Sequence, residues 1–293
     1  MTSHTGRAAV LTTAEELAAD LTASRPPIVL DVRWSLGGPP GHGEYRGGHI
    51  PSAVYVDLDA ELAGHGGDPT NGRHPLPDPV DLEAAIRRWG IHDDDRVVAY
   101  DASGNLAAAR AWWLLRWAGL ADVRLLDGGL AAWTAAGGPL STDEVTPTPG
   151  DASVRPGSLP VLSVEEAASW PRHGVLLDAR APERYRGESE PIDPKAGHIP
   201  GAHNAPTGDN LTADGHFRPT EELRDRFAAL GATERPVAAY CGSGVTAAHQ
   251  LAALAIAGVE GRLYPGSWSQ WSNLDRPVAT GAEPGRGAGR TGR

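Results

Sequence analysis

The side chain with the most to offer chemically is Cys241, the single cysteine in the chain. One thiol can form neither an internal disulfide nor a cysteine-rich zinc site, so it is either inert and buried or a nucleophile. Its surroundings favour the nucleophile. Cys241 closes the apolar run Val237-Ala238-Ala239-Tyr240 and opens Gly242-Ser243-Gly244-Val245-Thr246, after which the pattern turns helical. A tight, glycine-rich turn from strand to helix aims successive backbone N–H groups inward and makes an anion-binding nest. A thiol at its lip faces those donors and the positive end of the helix, and both favour thiolate over thiol. A sulfur nucleophile beside an anion site suits covalent group transfer.

An internal repeat supplies a control for this reading. Ile28-Val29-Leu30-Asp31-Val32-Arg33, followed by Gly48-His49-Ile50-Pro51, returns as Val175-Leu176-Leu177-Asp178-Ala179-Arg180, followed by Gly197-His198-Ile199-Pro200. Val97-Val98-Ala99-Tyr100-Asp101 answers Val237-Ala238-Ala239-Tyr240-Cys241, and Leu126-Asp127-Gly128-Gly129 answers Tyr264-Pro265-Gly266-Ser267. The chain is a duplicated domain, and only the second copy carries the thiol. Aligning Tyr45-Arg46-Gly47 with Tyr185-Arg186-Gly187 sets Glu44 opposite Arg184 and leaves nine extra residues, 188–196, in the second copy. The half with the thiol therefore gains a cation and a loop. His49 and His198 recur in both halves, which marks them as structural. Asp31, Arg33, Asp178 and Arg180 recur likewise and read as strand-end ion pairs.

Short apolar runs at 28–32, 97–100 and 123–126, and at 175–179, 237–240 and 262–263, read as buried strands. The segments 105–117 and 245–257 carry helical apolar stripes, with Trp112, Trp113 and Trp117 at core spacing. Thr13 and Ser163, each followed three residues later by Glu, predict a capping box at the first helix of each copy. Strands alternating with helices imply an α/β fold with a mainly parallel sheet covered on both faces. The chain of 293 residues divides into domains at 8–140 and 160–280, a Pro- and Gly-marked linker at 141–159 and a flexible tail at 281–293. A net charge of −11 argues against nucleic acid as a partner. No apolar run approaches about 18 residues and the N-terminus lacks an apolar signal core, so no membrane partner and a cytoplasmic location are expected. No metal-ligand spacing and no dinucleotide fingerprint is present, so no metal or cofactor is expected.

The Asp-x-Arg strand end, the Gly-His-Ile-Pro-Gly-Ala block and the Cys-x-x-Gly-Val-Thr loop together make the chain resemble the two-domain rhodanese-type sulfurtransferases over residues 10–280. The resemblance implies two tandem domains, each a five-stranded parallel sheet flanked by helices, with a silent first copy and a persulfide-forming Cys241 in the second. Thiosulfate-using members carry Cys-Arg-Lys-Gly-Val-Thr. The loop here, Cys241-Gly242-Ser243-Gly244-Val245-Thr246, matches the form found in members that use 3-mercaptopyruvate. By the same resemblance Ser243 works with His74 and Asp59, which lie in the first half. Arg184 and the loop residues Gly242, Gly244, Val245 and Thr246 bind the donor. The implied partners are a small sulfur donor and a thiol or cyanide acceptor, including a thioredoxin-like protein. Mercaptopyruvate-type members carry a second arginine nine residues beyond the first; here that offset falls on Asp193, with Lys195 the nearby cation. A cysteine phosphatase would need an arginine closing its loop, and none occurs between Cys241 and Arg262. A non-enzymatic persulfide carrier would need the same Cys241 and differ only in its acceptor.

Overall fold

The computed structural model describes residues 6–65 and 67–285, so the sequence-based tail at 281–293 lies mostly outside the described residues. The chain forms two compact units. The first comprises the described chain up to His65, together with Leu76–Leu159 and Leu211–Arg218. The second comprises residues 67–75, Pro160–Asn210 and the described chain from Pro219 onward.

In the first unit β1 (Leu11–Thr12), β2 (Ile28–Asp31), β3 (Val54–Tyr55), β4 (Arg96–Tyr100) and β5 (Asp122–Leu126) form a parallel sheet in the order β1-β5-β4-β2-β3. In the second, β6 (Val175–Asp178), β7 (His203–Asn204), β8 (Val237–Tyr240) and β9 (Gly261–Leu263) run parallel in the order β7-β6-β8-β9. The place of a fifth strand is taken there by a single parallel bridge, Val161 to Leu263, with Leu162 N–H donating to Leu263 O at 2.8 Å. The registers repeat: Asp31 pairs with Tyr100, and Asp178 with Tyr240. The central strands are buried on both faces, as their unbroken apolar runs require.

Both predicted capping boxes form. Thr13 accepts from Glu16 N–H and Ser163 from Glu166 N–H, and each glutamate reaches back to its cap residue's N–H. The strand ends are also built alike. Tyr100 Oη donates to Asp31, and the same oxygen accepts Ile50 N–H at 3.0 Å. In the second copy Ile199 N–H donates to Tyr240 Oη at 3.1 Å. His49 stacks on Tyr45 and His198 on Tyr185, each with Nδ1 against that tyrosine's carbonyl oxygen. Arg33 is bonded to Asp31, and Arg180 to Asp178. Among the described residues no helix is long and apolar enough to cross a membrane.

Candidate active site

Cys241 stands where β8 ends, with 2 % of its surface exposed. Its N–H donates to Ser267 Oγ at 3.1 Å, its carbonyl accepts Trp268 N–H at 3.0 Å, and Ser267 Oγ donates in turn to Tyr264 O. One hydroxyl thus ties the thiol's residue to the chain leaving β9. Ser267 adopts φ 53°, a left-handed conformation unusual for a residue with a side chain, where the first copy has Gly129 at φ 58°.

Gly244 N–H donates to Cys241 Sγ at 3.1 Å, an amide aimed at the place where negative charge would reside. The turn requires this glycine. Its φ is +87°, and a Cβ there would stand 2.4 Å from Pro265 O; alanine would add strain of about 1–3 kcal/mol. The helix Val245–Ile256 begins directly afterwards, with Val245 buried and Thr246 half-buried in its first turn.

Ser243 Oγ lies 2.7 Å from His74 Nδ1, and both residues are buried. His74 reaches the loop because residues 67–75 belong to this second unit. That segment is held firmly. A Cβ on Gly72 would stand 2.7 Å from Gly266 O, Arg73 N–H donates to Ser269 Oγ at 3.1 Å, and Gln270 Nε2 donates to Thr70 O at 2.8 Å.

Two guanidinium groups converge over Gly242. A Cβ built on that glycine would lie 3.4 Å from both Arg184 Nη1 and Arg73 Nη2. Both arginines belong to an alternating ladder. Asp178 pairs with Arg180 at 2.6 Å, Arg180 with Glu190 at 3.3 Å, Glu190 with Arg184 at 2.7 Å, Arg184 with Asp193 at 3.4 Å, and Asp193 with Arg73. Three cations face three acids, so the ladder is neutral. Glu190 and Asp193 both come from the extra loop 188–196. Burial pushes the Asp193 carboxyl above the usual carboxylate range, although Arg73 and Arg184 pull it down. Arg180 also stacks over Trp268, 4.5 Å from the ring centre.

The second unit therefore brings together Cys241, Gly242, Ser243, Gly244, Val245, Thr246, Arg184 and His74 among the residues expected from sequence. Asp59 lies in the first unit, exposed, where its carboxylate accepts Trp34 Nε1–H at 2.9 Å. Lys195 does not join the ladder; its Nζ donates to Leu274 O at 2.7 Å. Arg73, Ser267 and Glu190 escaped the sequence reading. The signals were Arg73 standing next to His74, and Ser267 replacing the Gly129 of the first copy. Among the described residues no cluster of three or more His, Cys, Asp or Glu could hold a metal ion.

The model of the Rhodanese-like domain family matches residues 13–136 and again 163–274. A Pseudomonas aeruginosa protein provisionally named 3-mercaptopyruvate sulfurtransferase is 50% identical over 282 residues, covering 93% of this chain and 99% of the relative. A Mycobacterium tuberculosis protein provisionally named thiosulfate sulfurtransferase SseB is 47% identical over 283 residues, covering 94% and 98%. The crystal structure of Escherichia coli SseA, described as a 3-mercaptopyruvate sulfotransferase with the rhodanese fold, matches with a TM-score of 0.78 at 33% identity. It covers 88% of this chain and 98% of its own.

Proposed function

This chain belongs to the rhodanese-like family, in two tandem copies, and from that premise we propose that it is a sulfurtransferase taking sulfur from 3-mercaptopyruvate onto Cys241. The observation that carries the proposal is the seat of the sulfur: a thiol at a strand end, bonded by Gly244 N–H, beside a Ser243–His74 pair and two guanidinium groups.

The chemistry follows from those groups. The Cys241 thiolate attacks the donor's sulfur, an S–S bond forms and the C–S bond breaks. Its electron pair stays on carbon as the enolate of pyruvate. Ser243, hydrogen-bonded to His74, is placed to deliver the proton that turns enolate into pyruvate. The outer sulfur remains on Cys241 as a persulfide. An acceptor thiolate, small or on a thioredoxin-like protein, then attacks that sulfur and Cys241 leaves as thiolate; cyanide attacking in the same way leaves as thiocyanate. Arg184 holds the donor's carboxylate through charge-assisted hydrogen bonds. A lone thiol that must cycle through a persulfide suits a reducing compartment, and we place the reaction in the cytoplasm.

The relatives' names divide between two donors, and the ladder argues for one. Thiosulfate carries two negative charges, whereas the arginines over Gly242 are matched by Glu190 and Asp193 and leave no net charge to balance a dianion. A monocarboxylate needs directed donors rather than excess charge. The test is to incubate the pure protein with 3-mercaptopyruvate and measure its intact mass. Gain of one sulfur, lost in Cys241→Ser, with pyruvate released in equal amount, is the expected result. No added sulfur from mercaptopyruvate under conditions where thiosulfate loads the protein would reverse the donor assignment.

A further inference from the structure

We propose that Arg73, carried by residues 67–75, is the second guanidinium of a two-arginine clamp on the donor's carboxylate, and that Asp193 positions it. This rests on the sulfurtransferase reading above and assigns its donor site.

The offset that should carry a second arginine in the 188–196 loop carries Asp193 instead. A carboxylate cannot bind a carboxylate, and the one cation of that loop, Lys195, is engaged with Leu274 O. The missing charge enters from elsewhere in the chain. Arg73 Nη2 and Arg184 Nη1 are equidistant, at 3.4 Å, from the Cβ position of Gly242, the residue after the nucleophile. A side chain at 242 would occupy the space both guanidiniums face, and glycine leaves it open.

Arg73 is not a solvated surface residue that happens to fall nearby. Its own N–H is fixed on Ser269 Oγ, and the backbone before it is pressed against Gly266. Its Nη1 is bonded to Asp193, while its Nε–H is shielded from solvent and has no hydrogen-bond partner among the described residues. A shielded, charged donor without an acceptor is a group waiting for one. Asp193 meanwhile touches both arginines, Arg73 with one oxygen and Arg184 with the other. It spans them, one oxygen to each, as a bound carboxylate would. The clamp is planar and bidentate in its demands, which selects a 2-oxo acid carboxylate over a compact dianion.

The experiment uses the full chain with two donors: 3-mercaptopyruvate, which carries a carboxylate, and inorganic polysulfide, which does not. Arg73→Met is expected to raise KM for mercaptopyruvate by about tenfold or more, with kcat reduced less, since a charge-assisted donor pair is lost. Loading of Cys241 by polysulfide, read by intact mass, should fall by no more than about threefold to fivefold, the effect of losing one cation near an anionic donor that has no carboxylate to clamp. Arg73→Lys keeps the charge without the fork and should recover only part of the loss. Asp193→Asn should raise KM and leave kcat nearly unchanged, as expected of a positioning residue. An equal loss with both donors in Arg73→Met and Arg73→Lys would make Arg73 merely structural, and an unchanged KM would dismiss the clamp. If wild-type protein takes sulfur from polysulfide but not from mercaptopyruvate, the donor reading itself fails, and the clamp falls with it.

Discussion

The loops after β4 and after β8 leave equivalent strand ends, yet they treat negative charge in opposite ways. In the first copy Asp101 is fully buried and its carboxylate accepts four backbone N–H groups, from Ser103, Asn105, Ala107 and Ala108, at 2.8–3.0 Å. Burial raises the pKa of this carboxyl against the pull of those four donors. In the second copy a thiol stands in that place and receives Gly244 N–H. The first nest is filled by a carboxylate of its own chain, while the second directs a donor at a sulfur that can carry a transferred atom. The first copy has kept the nest and closed it from within. Its ion ladder is also cut short: Arg33 ends on Asp31 and on the carbonyls of Glu44 and Gly48, where Arg180 continues through Glu190 to Arg184.

The sharpest way to break this comparison is to remove the sulfur. Cys241→Ser should abolish sulfur transfer from every donor while leaving circular dichroism and unfolding essentially those of wild type. A serine hydroxyl fits the space but is not ionised near neutral pH and does not hold sulfane sulfur. Turnover in the folded variant would end the persulfide mechanism.

Asp101→Ala should produce the largest loss of stability. It strands four buried N–H groups that only an acceptor at this point satisfies, and an effect of about 3–5 kcal/mol is expected after partial hydration. Asp101→Asn keeps one acceptor oxygen and should lie between. Cys241→Ala, which removes one small side chain at the matching position, should cost about 1–2 kcal/mol. Urea unfolding of the three variants checks the order. Equal effects at 101 and 241 would mean that the carboxylate is not what completes the first nest.

Ser267→Gly installs the first copy's residue in the second. It relieves a left-handed serine but deletes the hydroxyl that receives Cys241 N–H. Stability should change by less than about 1 kcal/mol, because strain relief and hydrogen-bond loss oppose each other. Persulfide formation should slow by about tenfold, because the nucleophile is less firmly placed. Single-turnover loading at saturating donor separates the two effects, and an unchanged rate would show that Ser267 serves only the fold.

What could be read from the sequence was whatever depends on neighbours in sequence or on the repeat. The capping boxes at Thr13 and Ser163 are three-residue signals, the strand 237–240 is an unbroken apolar run, and the strand 175–178 is an apolar run closed by Asp178. Cys241 was legible because the first copy lacks it. The helix expected from 105 begins instead at Ala108. The reason is tertiary: Asp101 takes the amides of Asn105, Ala107 and Ala108 and holds the chain in a turn, with Asn105 at φ 68°. Arg73 was signalled only by standing next to His74, because its position over Gly242 depends on which compact unit residues 67–75 join. The cations over Gly242-Ser243 come from 73 and 184 rather than from within the loop; Arg184 was legible from the repeat, where Glu44 stands opposite it.

That relocation makes Asp193 the natural place to tune donor choice, with an effect smaller than those above. Its carboxyl is buried and pushed upward, with Arg73, Arg184 and Glu190 as the charges facing it. A raised pKa means that Asp193 takes up a proton at higher pH than an ordinary aspartate. As pH falls through that range the ladder loses one negative charge, and the surroundings of Gly242 become net positive by one. A dianion gains more from this than a monoanion, so the ratio of kcat/KM for thiosulfate to that for mercaptopyruvate should rise on acidification. One charge near a partly solvated anion contributes on the order of 1 kcal/mol, so the ratio should move by about threefold to fivefold. Asp193→Asn removes the titrating group and should show the higher ratio at every pH, without the slope. Measuring the ratio between pH 5 and 8, about the range in which this fold should persist, distinguishes the sources of any slope. The same slope in Asp193→Asn would assign the titration to another group and would remove Asp193 from the account of donor choice.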